Sequence, residues 1–261
     1  MATRRAVVGA LAVVAALALT GCGDLAGNNP RLKSFAPGAA NAWPEPEPSS
    51  SPEPESTTAP PDGPPPCPTG PYQLEVEQAL ASTGHYGRIT VDGQQSAEDC
   101  ATIIGFQTRM GIEPANGTPG PTTNDVAQRL AATDPSMCPV ADAPIACIDL
   151  THQTFYIVAG GTVIHGPTVT RTGMPGWATP SGTFRIDRRN SLEWSVPFKV
   201  WLPNFQHFYL GMGLHTTTTY IHNMPLGSHG CVNLLPVDSD AAWQLLSRGS
   251  SIYLYGRRPG T

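Results

Sequence analysis

The sequence predicts a multi-domain chain: a small all-α three-helix domain, then a mainly β domain, sandwich- or barrel-like, with one late helix. Three observations carry this prediction. A Pro/Glu/Ser-rich tract separates the folded part from an apolar N-terminal run, and helical periodicity appears three times between residues 71 and 132. From residue 145 onward, β-branched and aromatic segments bounded by Gly and Pro turns dominate.

Residues 1–21 read as an export signal. Arg4 and Arg5 precede an uncharged run from Ala6 to Leu19, which is short for a membrane span. The Leu19-Thr20-Gly21-Cys22 that follows resembles the lipobox of bacterial lipoproteins, which implies cleavage before Cys22 and lipidation of its thiol. An ordinary signal peptide is the alternative. Residues 22–66, with WPEPEPSSSPEPES and PPDGPPP, read as a disordered tether, because they hold too few large apolar side chains to offset the entropy of ordering. Roughly 45 residues of this composition reach about 40 Å as a flexible coil and about 140 Å as continuous polyproline II.

Residues 67–138 form the helical domain. Residues 74–83 carry Leu74, Val76, Ala79 and Leu80; residues 96–110 start with Ser96 as cap and Asp99 in the first turn; residues 122–132 carry Val126 and Leu130. The loops TVDGQQ and EPANGTPGPT separate them. Residues 145–256 form the β domain, with IACIDL, TFYIVA, TVIHGPTVTRT, TFRIDRR and SIYLYG as strands. Its one helix, 237–247, has Asp238 and Asp240 near its positive end, Arg248 near its negative end and Gly249 as a stop. Ala242, Trp243, Leu245 and Leu246 are expected to pack it on the sheet. Trp194, Trp201, Phe205, Phe208 and Tyr209 are expected mostly as core or lid packing.

Charge narrows the partners. From residue 67 onward there are 14 acidic and 11 basic residues, with no basic stripe, so no nucleic-acid partner is expected.

Cysteine usage points to one special thiol. Setting aside Cys22 leaves Cys67, Cys100, Cys138, Cys147 and Cys231, an odd number in an oxidising compartment. Two disulfides are expected among the first four; three connectivities are open, and a bridge tying the small domain's ends together is favoured. Cys231 is left inside LHTTTTYIHNMPLGSHGCVNLL, residues 214–235, with His215 sixteen positions upstream. A thiol attacks as thiolate and needs a base or a positive field, which a histidine ordinarily supplies. Gly230 removes a side chain beside the nucleophile, leaving room for a carbonyl to approach the backbone N–H groups of Gly230 and Cys231, the expected oxyanion donors. Ser228, His229 and Asn233 are expected to support the pair.

The pattern of a histidine, twelve residues and then Ser-His-Gly-Cys-Val-Asn resembles the signature of the L,D-transpeptidases, cysteine enzymes that cross-link peptidoglycan. TVTRTGMPGWATPSGTFRI, residues 168–186, resembles the TG…TPSG.F.I stretch of the same catalytic domain. The resemblance implies Cys231 as nucleophile, His215 as proton donor and acceptor, the Thr216 carbonyl as its orienting group, and no cofactor. The partners it implies are donor and acceptor stem peptides, joined in a 3→3 cross-link through a Cys231 thioester. The helical region, with its Phe106-Gln107 pair and Gly turns, similarly resembles a peptidoglycan-binding domain. Together with Cys22, this predicts a protein anchored by lipid at the extracytoplasmic face of a bacterial membrane and reaching into the wall.

Other readings stand beside this one. A cysteine in an exported protein is ordinarily half of a disulfide, and His215, His222, His229 and Cys231 are chemically a possible zinc set, although no metal is expected. The same acyl-enzyme resolved by water or a free D-amino acid would make a carboxypeptidase or exchange enzyme. A non-catalytic wall-binding lipoprotein is the alternative of another class.

Overall fold

The structure, a computed structural model, describes residues 67–261. The expected export signal, Cys22 and the tether lie outside the described residues.

Among the described residues three α-helices come first: α1 (Gln73–Thr83), α2 (Ala97–Met110) and α3 (Pro121–Ala131). Helix α2 starts where Ser96 and Asp99 satisfy each other's backbone N–H groups, at 3.1 and 3.2 Å, a reciprocal capping box. Proline at the first position of α3 loses no hydrogen bond there. Val76, Leu80, Ile103, Phe106, Met110, Val126 and Leu130 make their common core. Glu77, fully buried, accepts from the N–H groups of Asp92 and Gly93 and from the Gln73 amide, which fixes the loop between α1 and α2. The helical core does not close on itself. Val169, Ile221 and Leu235 from the β domain belong to the same buried cluster.

The disulfides are Cys67–Cys100 and Cys138–Cys147. The favoured bridge between the small domain's ends is therefore not the one formed. Cys67 is tied to α2 instead, and Cys138 to the first strand of the β domain.

Nine strands follow: β1 (Ile145–Asp149), β2 (Thr154–Ala159), β3 (Thr162–Arg171), β4 (Gly182–Arg185), β5 (Arg188–Ser195), β6 (Val200–Tyr209), β7 (Met212–Thr216), β8 (Val232–Leu234) and β9 (Ser251–Tyr255). Helix α4 (Pro236–Leu245) lies between the last two. They form one sheet in the order β4-β9-β1-β2-β3-β8-β7-β6-β5. Its two edge strands, β4 and β5, are separated in sequence only by Ile186 and Asp187, so the sheet must curl. Ile186 bonds back to Ser250 and Asp187 to His207, one on each side of the seam. The result is a single curled sheet, the barrel-like form and not a two-sheet sandwich.

The curl encloses Ala146, Ile148, Phe155, Ile157, Leu214, Val232, Leu234, Ile252 and Leu254. Strand β1 is buried on both faces: Ala146 and Ile148 enter this core, while Ile145 and Cys147 join a second cluster with Tyr156, Val158 and Cys138. Helix α4 packs through Ala242 and Leu246, as expected, but Leu245 points to solvent. Trp243 is half-buried beneath the Arg189 guanidinium, 3.9 Å from its ring centroid, so cation–π contact replaces the expected core packing.

The expected strand TFRIDRR is split between β4 and the start of β5, and neither the rest of the β5–β6 hairpin nor β8 was among the expected strands. The hairpin spends the predicted aromatics in two ways. Phe205 and Phe208 are buried, whereas Trp194 and Trp201 pair across the hairpin with centroids 5.0 Å apart and roughly half their surfaces exposed.

Candidate active site

Strands β7 and β8 run parallel with Leu214 opposite Val232 and His215 opposite Asn233. One step earlier in this register, Gly213 lies level with Cys231. Side chains alternate along strands, so Cys231 and Asn233 share the face that carries His215. All three line one cavity of about 440 Å³, together with Arg171, Phe198 and Thr219. The parallel pairing accounts for the spacing in sequence, since the long 217–227 loop is the crossover that returns the chain from β7 to β8.

Each member is held by its backbone. His215 Nδ1 donates to the Thr216 carbonyl at 2.7 Å, which leaves Nε2 as the unprotonated nitrogen of the neutral ring. Burial drives the His215 pKa down to about 4; the bond to Thr216 opposes this and the nearby Arg171 charge adds to it. Cys231 keeps an opening to the cavity but is mostly surrounded by protein, and this burial pushes its thiol up, with a backbone hydrogen bond at Gly213 pulling it partly back. The resting pair is therefore neutral thiol and neutral imidazole, whereas residue type alone suggested a thiol with lowered pKa. A Cβ on Gly213 would lie 2.5 Å from the Phe205 ring, so only glycine lets β7 run this close to the thiol and the hairpin at once.

The turn before Cys231 is laced to the 168–186 stretch. Ser228 donates to the Cys231 carbonyl at 2.6 Å and accepts from the Gly230 N–H at 3.1 Å. Thr179 donates to the Gly230 carbonyl and accepts from Gly173, both at 2.9 Å. Two segments that resembled one family at separate places in the sequence thus meet around a single turn. Gly230 sits at φ +105, a left-handed conformation that disfavours any side chain.

Several expected roles change. The Gly230 N–H is engaged by Ser228 and is not a free donor for an oxyanion. His229 does not support Cys231 from behind: it is exposed, stacks on Phe198 with centroids 3.9 Å apart, and meets Trp177 edge-on at 4.9 Å. His229 and Phe198 line both the Cys231 cavity and an adjoining one of about 490 Å³ that also holds Trp177, Trp194 and the Arg188–Glu193 ion pair. His222 points away, to the Met110 carbonyl at 2.8 Å. The four residues of the zinc alternative therefore do not converge, and no three or more His, Cys, Asp or Glu side chains among the described residues come together as a metal-ligand group. Asn233 is buried, with its Oδ1 unpartnered toward the cavity side of β8.

Arg171 was not singled out from sequence. It is 2% exposed, donates to the Tyr220 carbonyl at 2.7 Å and to Thr219 Oγ1 at 2.6 Å, and has no carboxylate partner among the described residues. A charged residue two positions after Val169, on the face of β3 turned away from the curl's core, was the signal available.

Residues 143–254 match the YkuD family, described as the L,D-transpeptidase catalytic domain. A crystal structure of an L,D-transpeptidase from Stackebrandtia nassauensis is 51% identical, with 75% of this chain and 96% of that one aligned and a TM-score of 0.73. The chain belongs to the L,D-transpeptidase family. An L,D-transpeptidase from Xylanimonas cellulosilytica aligns over 74% of this chain and 97% of its own at 22% identity and a TM-score of 0.44. No curated protein matches the chain by sequence. Members of this family are cysteine-dependent acyltransferases that act on peptidoglycan stem peptides, and Cys231 is the one free cysteine among the described residues.

Proposed function

We propose that this L,D-transpeptidase forms 3→3 cross-links through a thioester on Cys231. The observation that carries the reading is the fixed tautomer of His215, whose Nε2 is left as acceptor on the face and in the cavity that hold the thiol. As Cys231 Sγ bonds to the carbonyl carbon of the third stem residue, Nε2 takes the thiol proton. The tetrahedral intermediate collapses with cleavage of the peptide bond, and His215 returns the proton to the departing D-alanine amine. The side-chain amine of a second stem then attacks the thioester, losing its proton to His215, and the thiol is regenerated as the new amide forms.

Because the resting pair is neutral, charge separates only as the bond forms. The buried Arg171 charge favours the developing anion, and the Cys231 N–H is the oxyanion donor in this reading, since Gly230 is occupied. Such a donor supplies about 3 kcal/mol. Binding of the glycan wall by the helical domain, a lipid on Cys22 and residence at the extracytoplasmic membrane face complete the proposal. They rest on the sequence patterns alone.

Cys231→Ser tests the nucleophile. Turnover of a tetrapeptide stem should vanish while the unfolding midpoint stays within about 1 kcal/mol of wild type, as a near-isosteric change at a half-buried site allows. Turnover retained by a folded variant would remove Cys231 from the mechanism.

A further inference from the structure

The 217–227 loop closes one side of the catalytic cavity: Thr218, Thr219, Leu226 and Gly227 line it beside Cys231. What holds this loop comes from two directions. Beneath it, Arg171 grips the Tyr220 carbonyl and Thr219, and Arg258 donates to the Met224 carbonyl at 2.5 Å. From the other side come three contacts with the helical domain, all made by consecutive side chains. Tyr220 accepts at its hydroxyl from the Glu113 N–H at 3.2 Å; Ile221 is 2% exposed within the helical core; His222 Nε2 donates to the Met110 carbonyl at the end of α2.

We infer that the helical domain is a fixed part of the substrate site, with His222 as the positioning residue that latches the 217–227 wall to α2. This inference rests on the transpeptidase reading for its catalytic consequence and on the geometry alone for the latch. The last carbonyls of a helix lack partners within the helix, so the Met110 carbonyl is a natural acceptor. His222 Nδ1 is buried and unpartnered, so the ring's only protein hydrogen bond among the described residues is the one to Met110. Arg109, one residue earlier, is bound to Asp238 at the start of α4 at 2.5 Å, so the helix end itself cannot drift from the sheet. A loop fixed at residues 220–222 by one domain presents Thr218 and Thr219 to the cavity of the other. Spacer or wall-binding roles would not require this arrangement.

The test uses the full-length protein and two variants. His222→Leu keeps the bulk and loses the donor; His222→Gln keeps a donor at the Nε2 position. In hydrogen exchange, amides of the 217–227 loop should exchange about tenfold faster in His222→Leu, in line with loss of one buried hydrogen bond, and return toward wild type in His222→Gln. Amides of β7 and β8 should not change. With a disaccharide-tetrapeptide, His222→Leu should raise KM about tenfold with kcat within about twofold, and iodoacetamide should alkylate Cys231 at the wild-type rate. Unchanged loop exchange in His222→Leu would overturn the latch. A loosened loop with unchanged KM would overturn its link to the substrate, and so would alkylation falling in step with kcat. An inactive wild type would count against the transpeptidase reading, and the exchange measurement would still decide the latch.

Discussion

Replacing His215 with Asn is expected to lower kcat/KM about a thousandfold, within the range of general acid–base catalysis. Asn can keep the donor to the Thr216 carbonyl, so the β7 backbone should stay in place while the Nε2 base is lost. At about 1.36 kcal/mol per tenfold, this removes roughly 4 kcal/mol of transition-state stabilisation. The wild-type pH profile carries the same prediction. Below about 4 the His215 imidazole is protonated and cannot accept the thiol proton, so kcat/KM should fall on that acid limb and be flat through neutral pH. Titrating kcat/KM from pH 3 upward checks it, with roughly one decade lost per pH unit below the midpoint. A midpoint near the ordinary histidine value would mean that the ring is solvated and that burial does not set its chemistry.

The second large effect is on stability. Asp238 has a fully buried carboxylate, and it accepts from Arg109 at 2.5 and 3.2 Å, from His165 at 2.8 Å and from Thr168 at 2.7 Å. Burial alone raises its pKa, but the bonds from His165, Arg109 and Thr168 outweigh this and hold it below the ordinary carboxylate range. Asp238→Asn should cost about 3 kcal/mol, the lower end for breaking a buried pair, because Arg109 is 32% exposed and recovers some hydration. In a chain of this size that corresponds to a melting point lowered by very roughly 6–12 °C. Since the folded-state pKa is depressed, the contribution is complete above the unfolded carboxylate pKa and disappears as pH falls through the folded one. Urea unfolding of both proteins at pH 7 and at pH 3 should therefore show a large difference that shrinks in acid. A difference under about 1 kcal/mol at pH 7 would show that this node does not join helix α2 to the sheet energetically.

How much of this was legible beforehand follows from what each feature depends on. Strands β1, β2 and β9 are short runs of β-branched and aromatic residues in a buried setting, and such runs announce themselves. The β5–β6 hairpin did not, because it is an edge pair interrupted by charges and prolines: Arg188, Arg189, Glu193, Pro197 and Pro203 are all in or between its strands. Its Trp194–Trp201 pair is a cross-strand contact, invisible until the register is known. Within the site, residue chemistry pointed to Cys231 and His215, and parallel pairing brings them to one face. The engagement of the Gly230 N–H by Ser228, the outward turn of His229 and the docking of His222 on Met110 depend on backbone paths that spacing does not encode. Disulfide pairing failed for the same reason. Four cysteines allow three connectivities, and the choice lies in where α2 and β1 come to rest.

The most direct test of the central claim is intact mass spectrometry of the reduced-at-Cys231 protein during incubation with a purified disaccharide-tetrapeptide. The mechanism predicts a transient adduct on Cys231 equal to the substrate minus its terminal alanine, followed by a cross-linked dimer in solution. An adduct that resolves only to the tripeptide would assign the acceptor role to water. No adduct and no dimer from folded protein would contradict the mechanism outright.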